Sequence, residues 1–69
     1  KGVGFDTISA DSVSSVGLPN HRVLLNKNIN IIENLTSLDQ LPTGYFTFYC
    51  FPLYIERADG SPVRAVASF

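Results

Sequence analysis

Runs of apolar residues along the 69-residue chain predict four strands. Residues 3–8 alternate apolar with small or polar side chains, a pattern typical of a short strand. Residues 29–35 are largely apolar and rich in isoleucine, and they predict a second strand. The strongest signal covers residues 45–55, and a last strand is predicted over residues 63–67. The last two strands, separated by turn residues, predict a C-terminal β-hairpin.

One short helix is predicted between the first two strands, over residues 18–25. Pro19 suits its first turn, because the N–H that proline lacks would have no partner inside the helix. Asn28 can take the left-handed conformation in which many helices end. A single further helical turn is predicted over residues 37–41, where the chain has the spacing of a capping box. The predicted fold class is therefore α+β.

The corner of the hairpin is predicted at Asp59-Gly60, a dipeptide typical of tight turns. Gly60 is then expected to have a positive φ, which glycine adopts at little cost. Pro52 cannot donate a ladder hydrogen bond, so it should lie at a bulge or at an edge of the sheet.

Both faces of the segment 45–55 are apolar, which is typical of a strand that is covered on two sides. One short helix can cover only one of them. We therefore expect the other face to contact polypeptide outside this chain, either the rest of the same protein or another subunit. The chain starts with Lys1 and contains no methionine, so we interpret it as a fragment of a longer protein.

Composition argues against several classes of partner. Five basic and six acidic residues give a net charge of −1, and the basic residues are scattered, whereas a nucleic-acid surface needs them clustered. The apolar stretches are too short and too interrupted to predict a membrane span. Cys50 is the only cysteine, so it cannot form a disulfide within the chain. This use of cysteine fits a cytoplasmic, reducing compartment.

His21 and Glu33 are the candidate metal ligands. From His21 the helix runs about 8 Å to its end. A strand that folds back along the helix returns about 13 Å on reaching Glu33, which brings the two residues level. One imidazole and one carboxylate are half of a zinc or manganese site, and we expect their side chains to lie within about 5 Å of each other. The spacing also allows plainer roles, with His21 as a structural residue and Glu33 facing water.

The chain resembles the cyclase family of metal-dependent hydrolases, in its kynurenine formamidase-like members. The motifs that carry the resemblance are the segment 21–25, Glu33-Asn34-Leu35 and the Asp-Gly-Ser-Pro-x-Arg sequence of residues 59–64. The resemblance covers nearly the whole chain. It implies that residues 1–69 are the C-terminal part of a single hydrolase domain with a swivelling β/β/α fold, whose N-terminal part is absent.

The resemblance also implies a function. His21 and Glu33 would be ligands of a divalent metal, Zn or Mn, whose activated water attacks a formamide or related acyl bond. Other ligands of the family lie in an N-terminal H-x-G-T-H-x-D motif, which this segment lacks. No catalytic residue is therefore assigned here, and the substrate-binding residues are unknown. Expected partners are the missing N-terminal part, further subunits of a homo-oligomer and a small-molecule substrate.

Two other interpretations remain open. The chain could be a non-catalytic, β-rich interaction module with an incidental histidine, or a family member that has lost catalysis. In the loop before the helix, Ser9 and Asp11 could line a substrate pocket, although polar loop residues are more often simply solvated.

Overall fold

Two parallel strands and the helix between them form the first of two units in the computed structural model, which describes residues 1–69. The first unit is Lys1–Leu38. Its strands, β1 (Gly2–Gly4) and β2 (Asn30–Ile32), pair in the register Val3 with Ile31. Parallel neighbours cannot be joined by a tight turn, and here the connection carries helix α1, Pro19–Asn26.

Helix α1 confirms the prediction for residues 18–25. Pro19 is its first residue, and Asn28, with φ 58°, has the left-handed conformation expected after its end. The Asn28 N–H donates to the Leu25 carbonyl at 3.0 Å, and the Ile29 N–H donates to the Leu24 carbonyl at 3.0 Å. These two bonds form a Schellman motif, which ends the helix and turns the chain directly into β2.

Beyond β1 and β2 the two segments stay hydrogen-bonded without a regular ladder. The Leu35 N–H donates to the Phe5 carbonyl at 2.9 Å, and the Asn34 N–H donates to the Thr7 carbonyl at 2.7 Å. Asn34 is left-handed, with φ 61°, so the ladder is interrupted there. Each strand is accordingly shorter than predicted, but the irregular contacts continue to hold the segments together.

The second unit, Asp39–Phe69, contains an antiparallel pair of strands. Here β3 (Thr47–Tyr49) pairs with β4 (Val66–Ser68), with Phe48 opposite Ala67. The expected helical turn is a 3-10 turn at Leu38–Gln40, at the sequence boundary between the units. The antiparallel pairing and the α+β class are therefore as predicted.

The strand predicted over residues 45–55 is much shorter in the structure. It ends before Cys50, and Pro52, which has no N–H for a ladder, lies beyond it. In the loop that follows, the Leu53 N–H donates to the Ser61 hydroxyl oxygen at 2.9 Å. That loop takes the place of the long strand.

The prediction of a tight corner at Asp59-Gly60 is wrong. The only glycine with a positive φ is Gly44, at 104°. A hydrogen-bonded turn lies earlier in the connection between β3 and β4: the Ala58 N–H donates to the Ile55 carbonyl at 3.3 Å, and Arg57 is left-handed, with φ 61°. Because the turn is made there, Gly60 does not need a positive φ.

Neither unit buries an apolar side chain completely. The largest exposed apolar side chains of the second unit include Tyr45, Phe51 and Tyr54. The expectation that further polypeptide covers the segment 45–55 stays a prediction. None of the helices has the length and apolar character needed to cross a membrane.

We predict that Gly44→Ala and Gly60→Ala differ in their effect on stability, although neither new methyl group meets an atom within 4 Å. Gly44→Ala should lower the free energy of unfolding by about 1 kcal/mol, because a β-carbon disfavours the left-handed region. Gly60→Ala should leave it unchanged or raise it slightly, because alanine restricts the unfolded chain. Denaturant unfolding of the full-length protein measures both, and equal losses would contradict the assigned backbone at Gly44.

Candidate metal-binding site

The imidazole of His21 lies between two carboxylates. Its Nδ1 atom is 2.7 Å from Oδ2 of Asp11, and its Nε2 atom is 2.7 Å from Oε1 of Glu33. The side chains of His21 and Glu33 are 23% and 30% exposed, whereas that of Asp11 is 2% exposed. One nitrogen of the ring therefore faces the interior, and the other faces a partly open position.

Glu33 reaches the ring because it directly follows β2, the strand that returns along helix α1. The Ala10 N–H donates to Glu33 Oε1 at 3.1 Å, which ties the carboxylate to the loop before the helix. The structure thus brings His21 and Glu33 together, within the distance that the fold-back geometry predicts. Their role as metal ligands stays a prediction.

Asp11, which lies in the loop before helix α1, caps the N-terminus of the helix. Its Oδ1 accepts the Asn20 N–H and its Oδ2 accepts the His21 N–H, each at 2.9 Å. Pro19 has no N–H, and the Arg22 N–H already donates to the Leu18 carbonyl at 3.0 Å. Since the first N–H groups of a helix lack intrahelical partners, Asp11 satisfies both that remain.

Asp11 is not among the residues that the sequence predicts for the metal site. A solvated loop residue or a possible pocket residue is predicted at this position, but the structure buries Asp11 against the helix. A signal was present in the sequence. Leu18, which precedes the helix, has no side chain that can cap it, so the N–H groups of Asn20 and His21 need an acceptor from elsewhere. Ser9 supports the same loop, because its hydroxyl oxygen accepts the Asp11 N–H at 3.1 Å.

The charges of this cluster favour an imidazolium between two carboxylates. The hydrogen bond to Asp11 raises the pKa of His21, partial burial opposes it, and Glu33 adds to the rise. Burial works against ionisation of Asp11, but hydrogen bonds from the backbone of His21 and Asn20 and from the His21 ring outweigh it, so the pKa of Asp11 is lowered. Carboxylates accept only, so both ring nitrogens donate in this arrangement.

The donor set of His21 and Glu33 fits a divalent cation. Imidazole nitrogen and carboxylate oxygen are both ligands of Zn and Mn, and these two atoms converge on one partly exposed position. The proton on Nε2 is the one that a metal would replace. No group of three or more His, Cys, Asp or Glu side chains that could hold a metal is present.

We predict that His21 of the metal-free, full-length protein titrates above the ordinary histidine value of about 6.5. Because its folded-state pKa is raised, its contribution to stability is complete below that ordinary value and is lost as the pH rises through the folded-state pKa. The contribution of Asp11, whose pKa is lowered, is present above its ordinary value and is lost as the pH falls through the lowered one.

Nitrogen-15 NMR of the His21 ring as a function of pH measures this directly. Asp11→Asn should move the pKa of His21 downwards, because it removes the largest cause of the rise. A His21 that titrates at or below the ordinary value in the unsubstituted protein would show that the carboxylate contacts are absent in solution.

Curated proteins match this chain over most of its length. It is 44% identical to a kynurenine formamidase of Polaromonas naphthalenivorans and 42% identical to one of Paracidovorax citrulli, in each case over 93% of the chain. A kynurenine formamidase of Bacillus anthracis is 39% identical over the same share. No family model matches the chain, and no solved structure matches it significantly.

The match covers only part of each relative. The chain spans 28% of the Polaromonas protein, 29% of the Paracidovorax protein and 30% of the Bacillus protein. The aligned stretch of 64 residues spans positions 21 and 33. By this similarity the chain is kynurenine formamidase-like, and it fits a C-terminal segment of a cyclase-family protein.

Proposed function

We propose that this chain is part of a metal-dependent hydrolase that cleaves a formamide or related amide bond, and that His21 and Glu33 supply two of its metal ligands. The observation that carries the proposal is the contact of 2.7 Å between His21 Nε2 and Glu33 Oε1. It occurs in a segment that is 44% identical to a protein named kynurenine formamidase.

His21 and Glu33 would each supply one ligand atom to the metal at this site. A bound divalent cation would polarise the substrate carbonyl and lower the pKa of a bound water that serves as the nucleophile. His21 offers the lone pair of Nε2 once that nitrogen has lost its proton. Glu33 offers a carboxylate oxygen that the Ala10 N–H holds in place. Groups that move protons during the reaction would come from outside this segment.

The remaining protein would complete the site. The chain spans less than a third of the length of the relatives above, so further ligands and the substrate pocket are assigned to the rest of the polypeptide. We also propose a small-molecule substrate, a homo-oligomer and a cytoplasmic location. The exposed apolar side chains of the second unit support contact with more polypeptide, and a single cysteine suits a reducing compartment.

In the full-length protein, His21→Ala and Glu33→Ala should each lower the bound metal per subunit. Each should also reduce the rate of formamide hydrolysis more than about tenfold, since loss of a supporting residue alone can cost that much at metal sites. The double variant should lose less than the product of the two single losses, because either vacancy disables the same site. Metal analysis and a formamide assay give both quantities.

Asp39→Ala is the matched control for these variants. Asp39 is an exposed acidic residue outside the proposed ligand set, so its removal should leave metal content and rate unchanged. Normal metal content in both His21→Ala and Glu33→Ala would exclude them as ligands. The enzyme proposal would then rest on sequence similarity alone.

A non-catalytic interaction module is the second candidate, and the exposed aromatic side chains Tyr45, Phe51 and Tyr54 favour it. The same assays separate the candidates. An enzyme binds metal and hydrolyses formamides, a family member without catalysis binds metal but hydrolyses none, and an interaction module does neither.

A further inference from the structure

We propose that Asp11 is a positioning residue for the metal site, which keeps the proton of neutral His21 on Nδ1 and so directs the lone pair of Nε2 towards the cation. The inference rests on the proposed function, because it requires His21 to bind a metal. Asp11 itself lies on the other side of the ring and is not offered as a ligand.

The geometry fixes the ring through two bonds to one oxygen. Oδ2 of Asp11 lies 2.9 Å from the backbone nitrogen of His21 and 2.7 Å from its Nδ1. The second oxygen, Oδ1, accepts the Asn20 N–H at 2.9 Å, so the carboxylate cannot rotate without breaking a bond to the helix. The backbone and the ring of His21 are therefore held by the same rigid acceptor.

This arrangement selects one tautomer. An ionised carboxylate can only accept hydrogen bonds, so the nitrogen that faces Asp11 must carry a proton. In a neutral imidazole the other nitrogen, Nε2, then has the free lone pair. Because the Asp11 side chain is only 2% exposed, water has little access to replace it at Nδ1. A carboxylate on the far nitrogen also strengthens a histidine ligand and sets its orientation.

Capping of the helix alone does not explain the contact. The bonds to the Asn20 and His21 N–H groups would suffice for a cap, and they leave the direction of the His21 ring free. The contact of 2.7 Å with Nδ1 is an addition to the cap. If Asp11 acts only as a helix cap, any substitution that weakens the helix start should lower Zn²⁺ affinity. If Asp11 positions the ring, only loss of its contact with Nδ1 should do so.

The test compares Asp11→Asn with Ser15→Ala in the full-length protein. Asparagine is uncharged and offers one acceptor oxygen, whereas Asp11 is charged and offers two. The Zn²⁺ affinity of Asp11→Asn, measured by chelator competition, should therefore fall by about 10- to 100-fold. The nitrogen-15 spectrum of His21 in the Zn²⁺-loaded protein should lose the signature of a single, hydrogen-bonded Nδ1–H. Ser15 supports the same helix start, since its hydroxyl oxygen accepts the Leu18 N–H at 3.2 Å. It does not contact the ring, so Ser15→Ala should leave the affinity and the spectrum unchanged.

A double-mutant cycle that combines Asp11→Asn with His21→Ala shows whether Asp11 acts through the histidine. In the His21→Ala background, Asp11→Asn should cause no further loss of Zn²⁺ affinity. The positioning role is overturned if Asp11→Asn leaves the Zn²⁺ affinity and the Nδ1 signal unchanged, or if Ser15→Ala lowers the affinity as much as Asp11→Asn does. It is also overturned if the losses caused by Asp11→Asn and His21→Ala simply add in the double variant. A full-length protein that binds no Zn²⁺ at His21 overturns the proposed function together with this inference, whereas the other outcomes leave the proposed function standing.

Discussion

The buried carboxylate of Asp11 is the constraint on which the candidate site depends. A charged group away from water needs hydrogen-bond partners, and Asp11 has three N–H donors, two from the backbone of helix α1 and one from the His21 ring. These bonds fasten the loop before the helix to the helix N-terminus, where the helix dipole also favours a negative charge. The position of His21 follows from them, because this residue supplies two of the three donors.

The parallel pairing of β1 with β2 supplies the other half of the geometry. Parallel strands require a crossover, and the crossover here contains both the Asp11 loop and helix α1. Irregular hydrogen bonds beyond the strands hold residues 5–7 against residues 32–35, which carries the loop up to Glu33. The site therefore lies where three segments meet, and polar contacts define it in a unit that buries no apolar side chain completely.

In the second unit, strand β3 is shorter than the apolar segment 45–55 predicts, because few of its residues have a pairing partner. The apolar residues of the segment 45–55 have a high strand propensity, but propensity produces a strand only where a partner accepts the ladder. Val66–Ser68 supplies a partner for three residues, and Pro52 prevents the ladder from extending through its position. The remaining apolar side chains stay exposed, which is the physical reason for predicting that more polypeptide covers them.

Features that depend on neighbouring residues could be predicted from the sequence alone. Helix α1 followed from Pro19 at its start and Asn28 after its end, and the return of the next strand was enough to bring His21 level with Glu33. The role of Asp11 depends on tertiary contacts, because its bonds join residues about ten positions apart and depend on how the intervening loop closes. Strand pairing likewise explains why the chain reverses without a tight corner at Gly60. Turn residues permit such a corner, but the length and pairing of the strands determine where the reversal occurs.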